Sequence, residues 1–482
     1  MTMTTYETVI GLEVHVQLAT DSKAFCGDKN EFGAAPNRHV SAISLGYPGT
    51  LPRLNEKQLQ YAVQLGQALN CKINRHSSFD RKNYFYADLP KGYQITQDRA
   101  PICLGGELPI RLKDGTEKNI RIHHIHMEED AGKSIHGEGE PFSYVDLNRA
   151  GTPLLEIVTE PDLRSAEEVD AFMSGIRQLV RYLGISDGNM QEGSLRCDVN
   201  ISVRPEGQQA FGQRCEIKNM NSMRYARNAI SYEVARQINL IEGGGQVEQQ
   251  TRQYNPKTGK TTALRAKEDA HDYRYFPEPD LPPFNLAEDF IEANQPKVQQ
   301  LPWEAYRLLR NHYQLSVEDC LLLSEEHSTC EVFLAYAKVT GHTDALAKLF
   351  LNKIIPWLSE QGISARELPL SAKTVDEYLQ LVSEGKVSAS AANARLFPAL
   401  LAQADAKPEQ LAQELALIQN TDTSFLERLV DEVIAANPDK VATYKKGKKG
   451  LIGFFMGEIM KKSKGQAGPK ETQALLRKKL DN

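Results

Sequence analysis

The sequence lacks the patterns that mark several common protein classes. No apolar run approaches the roughly 18–20 residues that cross a bilayer. The first six residues show no basic segment leading into an apolar stretch, so we expect neither a membrane anchor nor a secretion signal. The seven cysteines are odd in number and contain no C-x-x-C pair, which argues against a disulfide framework and against zinc. A soluble, reduced, cytoplasmic protein is expected.

Two familiar phosphate-binding loops are also missing. Gly132, Lys133 and Ser134 provide the end of a P-loop, but Met127 stands where its first glycine belongs. No G-x-G-x-x-G follows a predicted strand. A nucleotide site would therefore need another way to bind phosphate. The remaining possibility is a metal ion held by carboxylates of a sheet.

With 482 residues the chain is too long for one core, and about three domains are expected.

The charge of the chain is distributed unevenly. Residues 441–482 contain eleven Lys or Arg and three acidic residues, a net charge of +8, which leaves −14 on the rest because the total is −6. A basic end on an acidic body is typical of a tail that binds a polyanion, and equally of a solvated, lysine-rich helix.

Hydrophobic spacing divides the chain into an α+β part and a helical part. Period-two alternation recurs up to about residue 280. One helix within it is predicted to begin at a capping box of Ser165 and Glu168 and to end at Gly184. Four prolines within residues 277–283 mark a stiff connector, and helical spacing replaces the alternation beyond it.

The clearest strand places three polar side chains in one row. From residue 9 to residue 18, apolar residues alternate with Gly11, Glu13, His15 and Gln17. Neighbours in such a row lie roughly 6.6–7 Å apart. For one strand alone, a solvated sheet face is favoured over a functional site as the explanation of this pattern.

Two further segments repeat this alternation. Residues 196–204 place Arg196, Asp198 and Asn200 on the polar side, and residues 214–219 place Glu216 and Lys218 there. Their apolar sides include Cys197 and Cys215, which we interpret as buried structural thiols.

A fourth candidate strand covers residues 120–130. Its apolar phase slips at His123 and His124, which predicts a bulge. The strand ends in acidic residues, and because of the slip the phase does not say whether Glu128 or Glu129 shares a face with Glu13.

If these strands share one sheet, its polar face gathers carboxylates, a histidine, a lysine and arginines. Carboxylates are ligands for hard cations such as Mg²⁺. Arginine and lysine bind phosphate. Together they indicate a phosphoryl-transfer site, and an ion-paired structural face is the alternative.

Seven long strings resemble the GatB family of tRNA-dependent amidotransferase subunits, in family order and nearly from end to end. They are Gly11–Leu18 (GLEVHVQL), Asp80–Gln97 (DRKNYFYADLPKGYQITQ), His126–Ser134 (HMEEDAGKS), Tyr144–Asp162 (YVDLNRAGTPLLEIVTEPD), Glu192–Val203 (EGSLRCDVNISV), Glu216–Ser222 (EIKNMNS) and Lys267–Pro283 (KEDAHDYRYFPEPDLPP). The resemblance implies a cradle domain with a glutamine-synthetase-like sheet over residues 1–294. It also implies a helical domain over 295–405 and a small YqeY-like tail domain over 406–482.

The resemblance also implies a reaction and its partners. ATP would phosphorylate the side-chain carboxylate of misacylated Glu-tRNA(Gln) or Asp-tRNA(Asn), and ammonia would then displace the phosphate. The chain shows no nucleophile-elbow serine, so ammonia is expected from an amidase (GatA-like) subunit, with a small GatC-like subunit completing a heterotrimer. A free-standing amidoligase and a non-catalytic tRNA-binding scaffold are the rival hypotheses.

Site residues follow from the matching motifs. The resemblance implies Glu13, Glu129 and Glu216 as Mg²⁺ ligands, His15 as a ligand or a neighbour of one, and Glu128 as a further catalytic candidate. Phosphate or nucleotide contacts are expected from Arg196, Lys218 and Arg265. The string Gly453–Lys464 (GFFMGEIMKKSK) resembles a tail motif, and the residues expected to bind tRNA are Gly453, Gly457, Lys461, Lys462 and Lys464. Tight packing of the glycine face on the domain core is the alternative.

One departure from the family concerns zinc. Some relatives carry four cysteines between residues 26 and 44 as a zinc site. This chain keeps Cys26 but has Asp28, Ser41 and Ser44 at the other positions, so no zinc is expected.

Overall fold

The computed structural model describes residues 5–137, 139, 141–218, 220, 222–266, 273–419, 422–463 and 465–481, without the side chains of residues 265 and 266. The chain forms two compact units, residues 1–304 and 305–482. The first mixes strands and helices, and the second is helical, as the spacing of apolar residues predicts.

The strands lie in the first unit. They are β1 (Tyr6–Gln17), β2 (Lys72–Ile73), β3 (His76–Ser77), β4 (Asp80–Asn83), β5 (Tyr93–Thr96), β6 (Cys103–Leu104), β7 (Glu107–Arg111), β8 (Glu117–Glu129), β9 (Lys133–His136), β10 (Ser143–Asp146), β11 (Pro153–Thr159), β12 (Leu195–Pro205), β13 (Cys215–Lys218), β14 (Gln250–Asn255), β15 (Lys260–Ala266), β16 (Phe276–Pro277) and β17 (Phe284–Asn285).

One large sheet carries the architecture of this unit. Its strand order is β15-β14-β13-β12-β1-β11-β8-β6-β2, with β7 paired to β8. The pairs are antiparallel except β13 with β14. The long strand β1 lies near the middle, between β12 and β11, so side chains along it can meet partners on both sides.

The helices begin and end as follows: α1 (Glu56–Ala68), α2 (Ala166–Tyr182), α3 (Met223–Glu242), α4 (Glu288–Ala293), α5 (Pro302–Asn311), α6 (Val317–Ser324), α7 (His327–Ala337), α8 (Thr343–Leu349), α9 (Ile355–Gln361), α10 (Ala372–Ser383), α11 (Ala389–Ala391), α12 (Phe397–Ala402), α13 (Pro408–Glu414), α14 (Thr423–Ala436), α15 (Pro438–Lys445), α16 (Ile452–Lys462) and α17 (Pro469–Asp481). Two π-helical turns, Phe350–Ile354 and Ala392–Leu396, lead into α9 and α12.

The apolar face of the sheet forms the main core. Alternate residues of β1, among them Leu12, Val14 and Val16, are fully buried, and they join apolar residues of α1, α2 and α3 in one cluster. Burial of this face fixes the strand register, because a slip by one residue would turn the apolar set towards solvent. The polar alternate residues are thereby committed to the opposite face.

The predicted bulge and one half of the predicted capping box are present. Val158 of β11 pairs with His124 of β8 and the next residue pairs with Ile122, so His123 is the extra residue. Ser165 caps α2 by accepting the backbone N–H of Glu168 at 3.1 Å. The reciprocal half was predicted wrongly, because Glu168 Oε2 accepts the N–H of Arg164 at 2.7 Å instead.

The proline-rich segment is part of the first unit rather than a bare connector. Its two ends form β16, which pairs with β4, and β17, which pairs with β3. Arg81 of β4 binds the buried carboxylate of Glu278 at 2.7 Å, which fixes the segment against the strand.

The described residues of the second unit form two hydrophobic clusters. One gathers buried residues between Ala305 and Leu417, and the other gathers buried residues between Leu426 and Leu480. The helix α14 contributes Leu426, Val430 and Val433 to the latter cluster.

Candidate active site

The polar face of the large sheet brings charged residues of five strands together. Antiparallel pairing places Glu13 beside Asp198 of β12, and His15 beside Glu156 of β11. Directly paired residues point to the same face of a sheet. The row predicted on β1 therefore lies at the centre of two clusters of potential ligands.

The first cluster consists of His15, Glu128 and Glu156. The Nε2 atom of His15 lies 3.5 Å from Glu128 Oε1 and 3.3 Å from Glu156 Oε2. Both carboxylates are buried, and one ligand atom from each of the three residues lies within 4.8 Å of the others. Two carboxylates and an imidazole so arranged can hold a divalent cation.

A second histidine lies close to both carboxylates of this cluster. His126 Nε2 lies 3.3 Å from Glu156 Oε2 and 3.6 Å from Glu128 Oε2. Burial disfavours the charged ring, but the carboxylates outweigh it and raise the pKa of His126 to about 10. The imidazolium partly neutralises two carboxylates that would otherwise repel each other.

The second cluster consists of Glu13, Asp198 and Glu216. One oxygen from each lies within 4.8 Å of the others. Glu13 Oε1 accepts the side-chain amide of Asn200 at 2.8 Å, and Glu216 Oε2 accepts the hydroxyl of Thr251 at 2.9 Å. Donor groups therefore orient the carboxylates, and an all-oxygen set matches the preference of Mg²⁺.

Cations line the cavity of about 300 Å³ over this face. Lys218 Nζ lies 3.2 Å from both Asp198 and Glu216, and Arg196 binds Asp130 at 2.7 Å. Lys82 of β4 faces the same cavity. Positive groups next to carboxylates in a sheltered cavity can bind phosphate and its metal together.

Glu129 does not belong to either cluster. Adjacent strand residues point to opposite faces, and Glu128 takes the polar side. Glu129 Oε1 instead accepts the N–H of Ile95 at 3.0 Å and forms an ion pair with Lys91. It lines a separate cavity of about 90 Å³ with Gly151 and Tyr93. Because the bulge shifts the alternation along β8, the sequence alone does not show which of Glu128 and Glu129 lies on the polar face.

The remaining predicted residues are those expected to contact phosphate and those expected to contact tRNA in the tail. Arg196 and Lys218 line the cavity, whereas the side chain of Arg265 lies outside the described residues.

In the tail, Gly453 and Gly457 are exposed on α16 with open space beside them, so the described part of the chain does not pack tightly there. The lysines that follow, Lys461 and Lys462, are exposed, and Lys464 lies outside the described residues. Residues 219, 221 and 267–272, parts of two family-like strings, lie outside them too.

The loop that contains Cys26, Asp28, Ser41 and Ser44 forms a hydrogen-bonded cluster. The carboxylate of Asp28 accepts the N–H of Ser41 at 2.9 Å and the hydroxyl of Ser44. Burial raises the pKa of the neighbouring Cys26 thiol to about 11. These hydrogen bonds connect Asp28, near the start of this loop, with Ser41 and Ser44 at its end.

Sequence reasoning missed Glu156, His126 and Lys82 as site residues. Glu156 is the one charged residue in an otherwise apolar strand, PLLEIVT. A lone carboxylate within a buried strand is costly unless it is paired, and that signal could have identified it. For Lys82 no local signal exists, because β4 belongs to a different, three-stranded sheet.

Comparisons with known proteins decide the family. The family model described as the GatB/GatE catalytic domain matches residues 8–292, and a second one, the GatB domain, matches residues 331–480. The chain belongs to the GatB family. Proteins named as a subunit of aspartyl/glutamyl-tRNA(Asn/Gln) amidotransferase are similar over nearly the whole chain. That of Nitratidesulfovibrio vulgaris (strain DP4) is 46% identical over 99% of this chain and 100% of its own length. The corresponding values are 47%, 99% and 100% for Alkalilimnicola ehrlichii, and 45%, 99% and 99% for Pseudomonas syringae pv. syringae.

Family membership confirms the resemblance seen in the seven strings. The GatB/GatE catalytic domain covers the sheet and both carboxylate clusters, and the GatB domain lies within the helical second unit. The α+β class with a helical C-terminal region is confirmed as well. Among the described helices, none combines the length and apolar character needed to cross a membrane.

Proposed function

We propose that this chain is the ATP-dependent, amide-forming subunit of a glutamine-hydrolysing tRNA-dependent amidotransferase. It acts on misacylated Glu-tRNA(Gln), Asp-tRNA(Asn) or both and yields Gln-tRNA(Gln) or Asn-tRNA(Asn). The observation that carries the proposal is the polar face of the large sheet, where two clusters of potential metal ligands adjoin a cavity lined by four cationic side chains, Lys82, Arg149, Arg196 and Lys218. The names of the full-length relatives support the substrate class.

The reaction has two balanced steps. An oxygen of the substrate carboxylate attacks the γ-phosphorus of ATP, and ADP leaves. Ammonia then attacks the acyl carbon, the carbon–oxygen bond to phosphate breaks, and nitrogen gives one proton to the departing phosphate. Arg196 and Lys218 neutralise negative charge that moves between the phosphate oxygens.

Two sets of residues fit Mg²⁺. The first is His15 with Glu128 and Glu156, and the second is Glu13 with Asp198 and Glu216. Bound there, Mg²⁺ would supply charge neutralisation and in-line positioning of phosphate groups. We place Glu128 rather than Glu129 in the ligand set, because Glu129 points to the other face and is paired with Lys91.

The finer layout completes the proposal. Residues 1–294 form a glutamine-synthetase-like cradle, residues 295–405 a helical domain, and residues 406–482 a YqeY-like domain that binds tRNA. Ammonia comes from a GatA-like amidase subunit in a cytoplasmic heterotrimer with a GatC-like subunit. The loop of Cys26, Asp28, Ser41 and Ser44 holds no zinc, since two hydroxyls replace thiolates and Asp28 is already engaged.

The test uses the subunit co-purified with its amidase and small subunits. Labelled Glu-tRNA and Asp-tRNA are incubated with glutamine and Mg²⁺, with and without ATP. ATP-dependent conversion of the label to the amide supports the proposal. Conversion of neither substrate would contradict it, and tRNA binding without ATP hydrolysis would favour a scaffold.

The tail offers a second prediction. Exchanging Lys461 and Lys462 for glutamine is expected to weaken tRNA binding and to lower the slope of log affinity against log salt by about 1 for each lost phosphate contact. Filter binding at several salt concentrations measures both quantities. Lys373→Gln, at another exposed lysine of the second unit, serves as the control. Unchanged affinity in the double variant would leave these lysines as a solvated face.

A further inference from the structure

Three histidines of β8 are hydrogen-bonded in series, and the series ends at the first carboxylate cluster. His123 Nδ1 lies 2.7 Å from His124 Nδ1, and His124 Nε2 lies 3.1 Å from His126 Nδ1. The other ring nitrogen of His126 lies 3.3 Å from Glu156 and 3.6 Å from Glu128. We call these residues the histidine triplet. It leads from an exposed ring, that of His123, to two buried potential metal ligands.

The bulge in β8 brings the histidine triplet together. Before the bulge the strand buries Ile122 in the core, and after it the strand buries Ile125 there. The two residues between them, His123 and His124, are therefore consecutive in sequence and yet both on the polar side of the sheet. From His124 onward, alternation places His126 on the same side, which is where its partner carboxylates lie.

The neighbours of His126 determine how its ring is used. Carboxylates that bind a cation only accept hydrogen bonds, so His126 Nε2 carries the hydrogen that faces Glu128 and Glu156. Its Nδ1 is left for His124, whose ring also stacks on it, with centroids 5.2 Å apart and 22° between the planes. The hydrogen bond and the stacking together fix the plane of the His126 ring, and thereby the direction of its N–H between the carboxylates.

His124 orients its neighbour without adding charge to the site. Burial and the adjacent rings of His126 and His123 lower the pKa of His124 to about 4, so its ring is neutral at neutral pH. A neutral imidazole has one donor and one acceptor nitrogen, which suits a position between two other histidines. The ring therefore does not repel a cation held by the nearby carboxylates.

We propose that His124 is a positioning residue of the first cluster: its hydrogen bond to His126 fixes the two carboxylates that His126 contacts. This inference rests on the proposed function, because it takes His15, Glu128 and Glu156 as a Mg²⁺ site. It adds a residue that touches neither the metal nor the substrate. Groups that hydrogen-bond to metal ligands set the orientation of those ligands, and their loss lowers metal affinity by about 10- to 100-fold.

The experiment measures Mn²⁺ binding to the assembled complex, with Mn²⁺ as a paramagnetic substitute for Mg²⁺. The first cluster offers a nitrogen ligand, that of His15, whereas the second offers oxygen atoms only. Nitrogen modulation of the electron spin echo therefore identifies an ion in the first cluster. His124→Phe keeps a ring that can stack but has no nitrogen, and it is expected to raise the Kd of this ion by about 10-fold.

Further variants and a second measurement separate the hydrogen bond from the shape of the side chain. His124→Gln lacks the ring, but its amide can donate or accept in the place of Nε2, so it should retain the wild-type Kd. His312→Phe, the same exchange at an exposed histidine of the second unit, is the matched control. In the conversion assay, His124→Phe should need about 10-fold more Mg²⁺ for half-maximal rate. Its kcat at saturating Mg²⁺, its KM for aminoacyl-tRNA and subunit co-elution should stay unchanged.

The outcomes separate the inference from its premise. An unchanged Kd in His124→Phe would overturn the inference, and so would an equal rise in His124→Gln, because any exchange at this position would then disturb the strand. Mn²⁺ binding without the nitrogen signal in wild type would show that the first cluster holds no metal, and the premise would fail. If the wild type binds Mn²⁺ there but converts neither aminoacyl-tRNA, the proposed reaction fails while the Kd values still test the positioning role.

Discussion

Replacing Glu128 by glutamine is expected to lower the rate of ATP-dependent amide formation by roughly 10²–10³-fold. The substitution keeps the shape of the side chain but removes a carboxylate that lies 3.5 Å from His15 and within 4.8 Å of Glu156. Affinity for Mn²⁺, used as a spectroscopic substitute for Mg²⁺, should fall as well. Conversion of labelled aminoacyl-tRNA and Mn²⁺ titration by electron paramagnetic resonance measure the two effects.

The adjacent residue provides the matched control. Glu129→Gln is expected to leave Mn²⁺ affinity unchanged, because Glu129 points away and is bound to Lys91 and the backbone of Ile95. The substitution also changes the lining of the small cavity on the other face. The control is therefore Mn²⁺ affinity and not the rate of the overall reaction. Loss of Mn²⁺ binding in Glu129→Gln but not in Glu128→Gln would reverse the assignment of the ligand.

A second large effect concerns stability. Glu233→Ala is expected to lower the free energy of unfolding of the first unit by about 3–5 kcal/mol, because it leaves a buried charge without its partner. The carboxylate of Glu233 is completely buried, binds Arg236 at 2.6 Å and lies 3.3 Å from Arg252. It also accepts the hydroxyl of Thr261 at 2.8 Å, so it links α3 to both β14 and β15.

Chemical denaturation followed by circular dichroism measures this loss. Glu242→Ala, at the exposed end of the same helix, should stay within about 0.5 kcal/mol of wild type. If both variants lost the same small amount of stability, the buried network would contribute little beyond helix formation.

The sequence predicted the parts of the fold whose signals are local. The row on β1, the strands around Asp198 and Glu216, the bulge at His123 and the start of α2 all follow from alternation, spacing or a cap. These patterns depend on neighbours a few residues away, so they can be recognised without the tertiary structure.

The composition of the site depended on pairings that no local pattern encodes. Glu156 meets His15 only because β11 pairs with β1 in one register. Glu128 and Glu129 are equivalent in the sequence until the bulge fixes their faces. Lys82 reaches the cavity from a separate sheet, so its role became visible only in three dimensions.

The central position of β1 has a consequence for changes in chain length. Glu13 and His15 stand two residues apart on this strand and belong to different clusters, so the pleat of the backbone sets the separation of the clusters. Insertion or deletion of one residue before Glu13 would turn both side chains into the core and bring Leu12 or Val14 to the cavity. We therefore expect this stretch to accept some exchanges of residue type but no insertion or deletion, whereas turns distant from the cavity can vary in length.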